Sequence, residues 1–277
     1  MFFMRRRARM TDLFKAENII KTYRIKTAFS GTHTVRAVDG VTFTVARGEV
    51  HGVAGESGCG KTTLAKILLR LENPDSGRII FDGQDITRLK GSDLKAFRRR
   101  AQVIFQDPYS SLDPRMTVRE IIEEPLLIHR LCKTSAERGA IAAALLDKTG
   151  LSSEYMDRYP HEFSGGQRQR IGIARALALK PDVIVADECV SALDVSVQAQ
   201  VLNLLKDLKK EMGLSYIFIS HDLSVLRFLC DRISVMSHGR IVESGPAGQI
   251  LTAPQNHYTK TLLSAVPECP RGPAPVN

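Results

Sequence analysis

The chain contains Gly55-Glu56-Ser57-Gly58-Cys59-Gly60-Lys61-Thr62, which fits the pattern G-x-x-x-x-G-K-[ST] of loops that bind polyphosphates. Backbone N–H groups can surround a polyphosphate only where side chains stay out of the way, which accounts for the glycines in this loop. Lys61 adds a positive charge for the outer phosphates, and the Thr62 hydroxyl is a suitable ligand for Mg²⁺. The helix that follows directs its N-terminal dipole at the anion. These residues predict a site for a polyphosphate and Mg²⁺.

The residues on either side predict the strand and the helix that such a loop requires. Glu49-Val50-His51-Gly52-Val53-Ala54 is typical of a buried strand. The helical spacing after the loop places four apolar residues on one face, namely Leu64, Ile67, Leu68 and Leu71. A glycine-rich turn that matched the pattern by chance would not be expected to have both flanks in agreement.

Length and composition indicate one large domain, or a domain with a subdomain, that has a sizeable core. The chain has 277 residues, of which 43% are hydrophobic. No apolar run approaches the roughly 20 residues that a membrane helix needs, and the first ten residues do not have the pattern of a secretion signal. The five cysteines form no C-x-x-C pair, so we expect neither a zinc site nor a disulfide framework, and a reducing cytosol fits.

The charge balance favours anionic partners. The formal net charge is +9, which suits phosphates or lipid headgroups. The basic run from Arg5 to Arg9 is consistent with contact to an anionic membrane or a nucleic acid, and equally with a solvated tail.

The residues up to 105 predict several strands, among them an antiparallel layer beside the loop. Residues 13–25 are typical of a strand, and residues 35–45 alternate apolar and polar residues, with Asp39-Gly40 as the predicted turn of a hairpin-like layer. Residues 78–81 and 101–105 are predicted to be further strands. Tyr23 is either a stacking partner for a purine ring or an ordinary strand aromatic.

The middle of the chain is predicted to be helical and to contain a second anion site. Residues 110–160 favour an inserted helical subdomain. Phe163-Ser164-Gly165-Gly166-Gln167 then precedes a helix predicted over 167–179. A second glycine-rich turn at a helix N-terminus is suited to binding an anion.

Two carboxylates follow the next core strand. Residues 182–188 form a nearly continuous apolar run that ends in Asp187 and Glu188, which is typical of a strand buried on both faces of a parallel sheet. Ligands bind at the carboxyl ends of such strands. Asp187 is a candidate to hold Mg²⁺ through water, and Glu188 a candidate to polarise an attacking water; a purely structural carboxylate pair is the alternative.

The last hundred residues complete the sheet. A helix with an apolar stripe is predicted to end at Gly213, and a strand over 214–219 leads to His221, a candidate contact for a terminal phosphate. Residues 233–242 favour a hairpin. Residues 246–277 are a polar, proline-rich extension with one short predicted helix at 258–265.

Together these motifs resemble the ATP-binding subunits of ABC transporters. Phe163-Ser164-Gly165-Gly166-Gln167 is similar to the family's signature motif, with Phe where Leu is usual. The remaining matches are Asp187 and Glu188 (the Walker B pair), Gln106 (the Q-loop), 191–194 (the D-loop), His221 (the switch histidine) and Tyr23 (the adenine-stacking position).

The resemblance implies an α/β fold, with a P-loop NTPase (RecA-like) core, an antiparallel β layer and an inserted α-helical subdomain at about 106–177. The nucleotide-binding domain would span 11–245, between a basic extension at 1–10 and a C-terminal extension at 246–277. The implied catalytic residues are Lys61, Gln106, Glu188 and His221. The implied ATP-binding residues are Tyr23, Gly55, Glu56, Ser57, Gly58, Cys59, Gly60, Lys61, Thr62, Thr63, Ser164, Gly165, Gly166, Gln167 and Asp194. The implied Mg²⁺ residues are Thr62, Gln106 and Asp187.

A narrower resemblance is to the oligopeptide, dipeptide and nickel importer branch. It rests on Phe105-Gln106-Asp107-Pro108-Tyr109-Ser110-Ser111-Leu112-Asp113-Pro114-Arg115-Met116, on 158–167 and on the tail at 258–267. Cys189 stands where that branch has Pro, which predicts a looser turn after Glu188. Asn256-His257-Tyr258 stands where His-Pro-Tyr is usual. Some relatives carry an iron–sulfur cluster on a cysteine-rich tail; Cys269 is the one cysteine of this tail, so we expect no cluster.

The implied activity is ATP hydrolysis that powers an importer of peptides or related small solutes. The resemblance implies head-to-tail pairs that enclose ATP between the phosphate loop of one subunit and the signature turn of the other. The implied partners are two membrane-spanning permease subunits, a second ATP-binding subunit (a copy or a paralogue) and, indirectly, a solute-binding protein, at the cytoplasmic face of the bacterial inner membrane. The alternative is a soluble ABC ATPase acting on nucleic acid or ribosomes; a P-loop kinase would leave the Ser164 turn unexplained.

Overall fold

A computed structural model describes residues 12–27, 31–107 and 111–264. The basic run from Arg5 to Arg9 and Cys269 lie outside these ranges, as do residues 265–267 of the tail. The strands are β1 (Asp12–Thr27), β2 (Gly31–Ala46), β3 (Val50–Ala54), β4 (Ser76–Phe81), β5 (Gln84–Asp85), β6 (Ala101–Ile104), β7 (Val183–Asp187), β8 (Ser215–Ser220), β9 (Arg232–Ser237) and β10 (Arg240–Pro246). The α-helices are α1 (Lys61–Leu68), α2 (Gly91–Arg100), α3 (Val118–Ile128), α4 (Ser135–Lys148), α5 (Gly165–Leu177), α6 (Val195–Met212), α7 (Leu223–Leu229), α8 (Ala247–Thr252) and α9 (His257–Ser264).

A six-stranded sheet forms the centre of the fold, in the order β10-β9-β3-β8-β7-β6. All its neighbouring strands are parallel except the edge pair β9 and β10. Strands β3, β7 and β8 are buried along their whole length, which explains their nearly continuous apolar sequences. Because these strands are parallel and adjacent, their carboxyl ends bring the phosphate loop, Asp187 and His221 to one edge of the sheet.

A second, antiparallel sheet has the order β2-β1-β4-β5. Helix α1 lies between the two sheets: its Leu64 and Ile67 share one core cluster with residues of β1 and β2 and with Val185 and Ile217 of the parallel sheet. The phosphate loop at the start of α1 is therefore fixed by the packing of both layers.

The predicted turn at Asp39-Gly40 is wrong. Strand β2 runs through both residues, and the chain reverses between β1 and β2 instead. Gly40 is an extra residue in the ladder, because Ile19 pairs with Val41 while Ile20 pairs with Asp39. The positive φ of Gly40, 72°, fits a β-bulge, which has the same residue preference as a turn.

The inserted helices form a core of their own. The cluster contains Val118 and Ile122 of α3, Leu146 of α4 and Ile171 of α5, together with Phe163. Capping boxes begin both α3 and α4, which explains where these helices start. Phe163 is buried and packs edge-on against Tyr155 at 5.7 Å between ring centres, so the unusual Phe of the second turn fills this core.

Two further sequence expectations need correction. Leu71 is 51% exposed, because α1 ends at Leu68 and Leu71 therefore lies beyond the helical face. The C-terminal extension contains two helices in its described part, α8 and α9, where one was predicted. Helix α8 has only six residues and buries Ala247 and Ile250, which is too short a pattern to be recognised from periodicity. Within the described ranges, no helix has the length and apolar character needed to cross a membrane.

Candidate nucleotide site

The phosphate loop is pressed against its neighbours at two of its glycines. A Cβ atom on Gly60 would lie 2.0 Å from the Ala37 carbonyl oxygen, and one on Gly55 would lie 2.3 Å from that of Met236. A Cβ on Gly58 would meet nothing within 4 Å, although its φ is also positive, at 80°. Gly55 and Gly60 are therefore required because β9 and β2 approach them closely, whereas Gly58 is required only by its backbone conformation.

This difference leads to a matched prediction for two alanine substitutions. Gly60→Ala combines left-handed backbone strain with a clash against backbone and should cost about 3–5 kcal/mol of stability. Gly58→Ala carries only the strain and should cost about 1–2 kcal/mol. Denaturant melts of the two variants beside the unchanged chain test this; equal losses would contradict the packing described here.

The ammonium group of Lys61 is held inside the loop. Lys61 is 4% exposed, and its Nζ donates to the Gly55 carbonyl at 2.7 Å and to the Glu56 carbonyl at 2.8 Å. Nζ also lies 3.7 Å from Oε1 of Glu188. Since an ammonium has three donors, two fix its position in the loop and the third can serve a carboxylate or a phosphate oxygen.

Thr62 and Asp187 provide a pair of oxygens that suits Mg²⁺. The Thr62 hydroxyl donates to Oδ1 of Asp187 at 3.4 Å, and Asp187 is 7% exposed. Burial raises the pKa of the Asp187 carboxyl, as does the nearby Glu188. A buried carboxylate beside a hydroxyl, both hard oxygen ligands, fits a divalent cation that would offset the negative charge there.

Three groups converge on the Glu188 carboxylate. Gln106 donates its Nε2–H to Oε2 at 3.2 Å, and Nδ1 of His221 lies 3.2 Å from the same oxygen. Lys61 approaches Oε1 from the loop. The structure thus brings together all four residues expected to be catalytic, although Gln106 is 82 positions from Glu188 in the sequence.

The turn after Glu188 is closed by hydrogen bonds that sequence reasoning missed. Glu188 has a φ of 45°, donates its N–H to the Ile219 carbonyl at 3.0 Å, and accepts at its own carbonyl from the N–H (3.1 Å) and the hydroxyl (2.9 Å) of Ser191. Cys189 is buried in the core, and burial raises its pKa to about 12. The sequence predicted a looser turn at Cys189. In the structure the turn is instead held by the hydrogen bonds of Glu188 and by the burial of Cys189. A serine three residues after the carboxylate was the available signal for this contact.

Tyr23 lies near the start of α1. Its hydroxyl donates to Oε2 of Glu72 at 2.6 Å, and the Thr63 side chain is near enough to affect its pKa. Burial and the Glu72 carboxylate raise the pKa of Tyr23. Its assignment to adenine stacking stays a prediction.

The second glycine-rich turn forms a separate surface with the start of α6. Ser164 and Gln167 cap α5 reciprocally: the Ser164 N–H donates to Oε1 of Gln167 at 3.0 Å, and the Gln167 N–H to the Ser164 hydroxyl at 3.4 Å. Gly166 packs against Val197, where a Cβ would lie 2.2 Å from a methyl group, while Gly165 has more room. Asp194 caps α6 by accepting from the Val197 N–H at 2.9 Å.

The two glycine-rich turns are not joined within one chain. Across the ranges that the structure describes, no hydrogen bond or ion pair links the residues Ser164, Gly165, Gly166, Gln167 or Asp194 to the phosphate loop. The described hydrogen bonds and ion pairs thus leave the phosphate loop and the second turn as two separate groups of residues within one chain.

The fold is found in solved ATP-binding cassettes. The dimeric post-hydrolysis structure of the ATP-binding cassette MJ0796 bound to ADP and Pi aligns with a TM-score of 0.76 and 31% identity, over 84% of this chain and 98% of that one. The cbiO1 protein of Clostridium perfringens, part of the ABC transporter complex cbiONQ, aligns with a TM-score of 0.75 and 27% identity, over 87% of this chain and 91% of that one.

Sequence relatives extend the match to nearly the whole chain. The oligopeptide transport ATP-binding protein OppF of Streptococcus mutans is 55% identical over 234 residues, 84% of this chain and 76% of that protein. The probable peptide ABC transporter ATP-binding protein y4tS of Sinorhizobium fredii is 53% identical over 261 residues, 93% of this chain and 74% of that protein. The profile of the ABC transporter family matches residues 38–191, from β2 through the phosphate loop and the second turn to the turn after Glu188. The phosphate loop, the Asp187 and Glu188 carboxylates and the second turn all lie inside the matched region. The chain belongs to the ABC transporter family and is one of its ATPases.

Proposed function

We propose that this chain is the ATP-binding and ATP-hydrolysing subunit that powers an ABC importer of peptides or related small solutes. The observation that carries the proposal is the convergence of Lys61, Gln106 and His221 on the Glu188 carboxylate, beside the phosphate loop. The similarity to relatives named for peptide transport supports the class of solute. The same names favour transport over action on nucleic acid or ribosomes.

The proposed chemistry uses the chain's own groups. The loop N–H groups and Lys61 bind the phosphates of ATP and offset charge that develops on them. Glu188 accepts a proton from the attacking water, and His221 and Gln106 hold that carboxylate in position. His221 is also the proposed contact for the terminal phosphate. Thr62, Asp187 and Gln106 are the proposed residues around Mg²⁺, which would neutralise charge on the phosphate oxygens.

We propose further that two such subunits enclose each ATP. The phosphate loop of one would bind the phosphates, and Ser164, Gly165, Gly166, Gln167 and Asp194 of the other would cover them. This is supported by the separation of the two turns within one chain and by the dimeric state of the MJ0796 cassette. ATP would shift the population towards the closed pair because it binds that state better, and hydrolysis would reopen it.

The proposed partners are two membrane-spanning permease subunits and a second ATP-binding subunit, which is a copy or a paralogue. A solute-binding protein would act through the permeases, and no nucleic acid partner is expected. The chain would lie as a peripheral subunit at the cytoplasmic face of the bacterial inner membrane.

Purification from detergent-solubilised membranes tests this function. The tagged chain should co-purify with two permeases identified by mass spectrometry, and the assembly should hydrolyse ATP faster when a peptide and its binding protein are added. The matched control is the same assembly carrying Glu188→Gln. Purification with ribosomal proteins or DNA, and without permeases, would contradict the proposal.

A further inference from the structure

The C-terminal extension contacts the phosphate loop directly. The backbone N–H of Glu56, the second residue of the loop, donates to the Tyr258 hydroxyl at 3.3 Å. Tyr258 is the second residue of α9, 202 positions away in the sequence. The mechanism described above does not use this residue.

The contacted peptide group is the one that holds Lys61. The Glu56 N–H and the Gly55 carbonyl belong to the same peptide unit, and that carbonyl accepts from Lys61 Nζ at 2.7 Å. Tyr258 therefore binds one side of a peptide whose other side positions the ammonium group. Hydrogen bonds in such a chain polarise and strengthen one another, so loss of the hydroxyl should loosen the Lys61 contact as well.

Tyr258 is itself held by parts of the fold that are well anchored. The Glu243 carboxylate of β10 accepts from the backbone N–H groups of Gln255 at 2.7 Å and Asn256 at 3.2 Å. The Asn256 side chain then accepts from the Tyr258 N–H at 2.8 Å and so caps α9. The departure from His-Pro-Tyr thus keeps the Tyr in place, because Asn256 supplies a cap.

The packing of α9 continues into the main core. Tyr258, Leu262 and Leu263 are partly buried against the cluster that contains Val50 and Ala54 of β3, the strand that leads into the loop. The extension is thereby joined to the main core by apolar contacts, and to the phosphate loop by the Tyr258 hydroxyl.

We propose that Tyr258 is a positioning residue for the phosphate loop, through which the C-terminal extension raises the affinity of the loop for nucleotide. The proposal rests on the proposed function in that it takes the loop to be the nucleotide site. Because coupling between two sites is reciprocal, nucleotide bound at the loop stabilises α9 in turn.

A purely structural Tyr would behave differently. If Tyr258 only packed on the core, removal of its hydroxyl would leave nucleotide affinity unchanged. Its substitution would then affect only the stability of the fold, as truncation of a neighbouring apolar residue of α9 does. Two control substitutions separate these cases. Thr261→Ala removes another hydroxyl of α9, which donates to the His257 carbonyl, and Leu262→Ala removes apolar packing.

The test measures Mg-ADP affinity of the full chain by calorimetry, because ADP is not hydrolysed. Tyr258→Phe should weaken binding by about two- to tenfold, the worth of one hydrogen bond, with little change in melting temperature. Thr261→Ala should change neither quantity, and Leu262→Ala should lower the melting temperature with affinity kept. In the assembled transporter, Tyr258→Phe should raise KM for ATP and leave kcat unchanged.

Hydrogen exchange completes the experiment. Saturating Mg-ADP should slow exchange of the α9 amides in the unchanged chain, and by a smaller factor in Tyr258→Phe. Equal ADP affinity in Tyr258→Phe and the unchanged chain would overturn the inference while the proposed function stands. An unchanged chain that binds no ADP would instead overturn the proposed function.

Discussion

Glu188→Gln is expected to lower ATP hydrolysis by about 10²–10⁴-fold, the usual contribution of a positioned general base. The substitution keeps the shape of the side chain and its contacts with Gln106 and His221, and removes the charge that accepts the proton. The Gly55 and Glu56 carbonyls still hold Lys61, so ATP binding should remain within a few-fold of normal. Phosphate release at saturating ATP and equilibrium ATP binding are the two measurements.

The control for Glu188→Gln is Glu211→Gln. Glu211 is an exposed carboxylate on α6 that pairs with Lys148 at 2.6 Å, so the change has the same chemistry at a site without nucleotide contacts. Its hydrolysis rate should match that of the unchanged chain. Fast hydrolysis by the Glu188→Gln variant would show that Glu188 is not the group that accepts the proton from the attacking water.

Lys61→Ala is the second substitution with a large expected effect, and it acts on binding. Loss of the ammonium removes a charged contact to phosphate, worth about 1.5–3 kcal/mol, which corresponds to roughly 10- to 100-fold in affinity. The Gly55 and Glu56 carbonyls also lose their donor inside the loop. Calorimetric titration with Mg-ADP measures the loss without hydrolysis.

Lys66→Ala provides the matched control. Lys66 is an exposed residue in the last turn of α1, so this change removes one positive charge from the same helix without touching the loop carbonyls. Affinity should fall by less than about twofold, because Lys66 is exposed and its charge is screened by solvent and salt. If Lys66→Ala weakened binding as strongly as Lys61→Ala, net charge would account for affinity and the loop geometry would not.

The strand, loop and helix that carry the phosphate-loop residues could be predicted from the sequence, because their local patterns are strong. Strand β3, the loop and α1 are consecutive, and β7 and β8 end directly at Asp187 and His221, so parallel pairing alone brings them together. Family membership confirms the resemblance and the fold class inferred from these motifs. The individual roles of the site residues stay predictions.

The features that could not be predicted from the sequence depend on contacts between distant residues or on where an element ends. No local pattern pairs Glu56 with Tyr258, since the two residues are 202 positions apart and meet only where α9 packs against the main core. Gly40 was taken for a turn because bulges and turns favour glycine for the same reason, a positive φ. Leu71 continued the apolar periodicity of α1 after the helix itself had ended.

The central claim is that two subunits enclose each ATP, because the Ser164 turn is not joined to the phosphate loop of its own chain. The most direct test measures how long the purified assembly retains radiolabelled ATP. It compares the Glu188→Gln variant with a double variant that carries both Glu188→Gln and Ser164→Arg. The large charged side chain would obstruct the second turn and leave the phosphate loop of the same chain unchanged. We predict slow release of ATP from the single variant and release at least about tenfold faster from the double variant. Equal retention by the two variants would show that the second turn does not cover the nucleotide and would contradict the account.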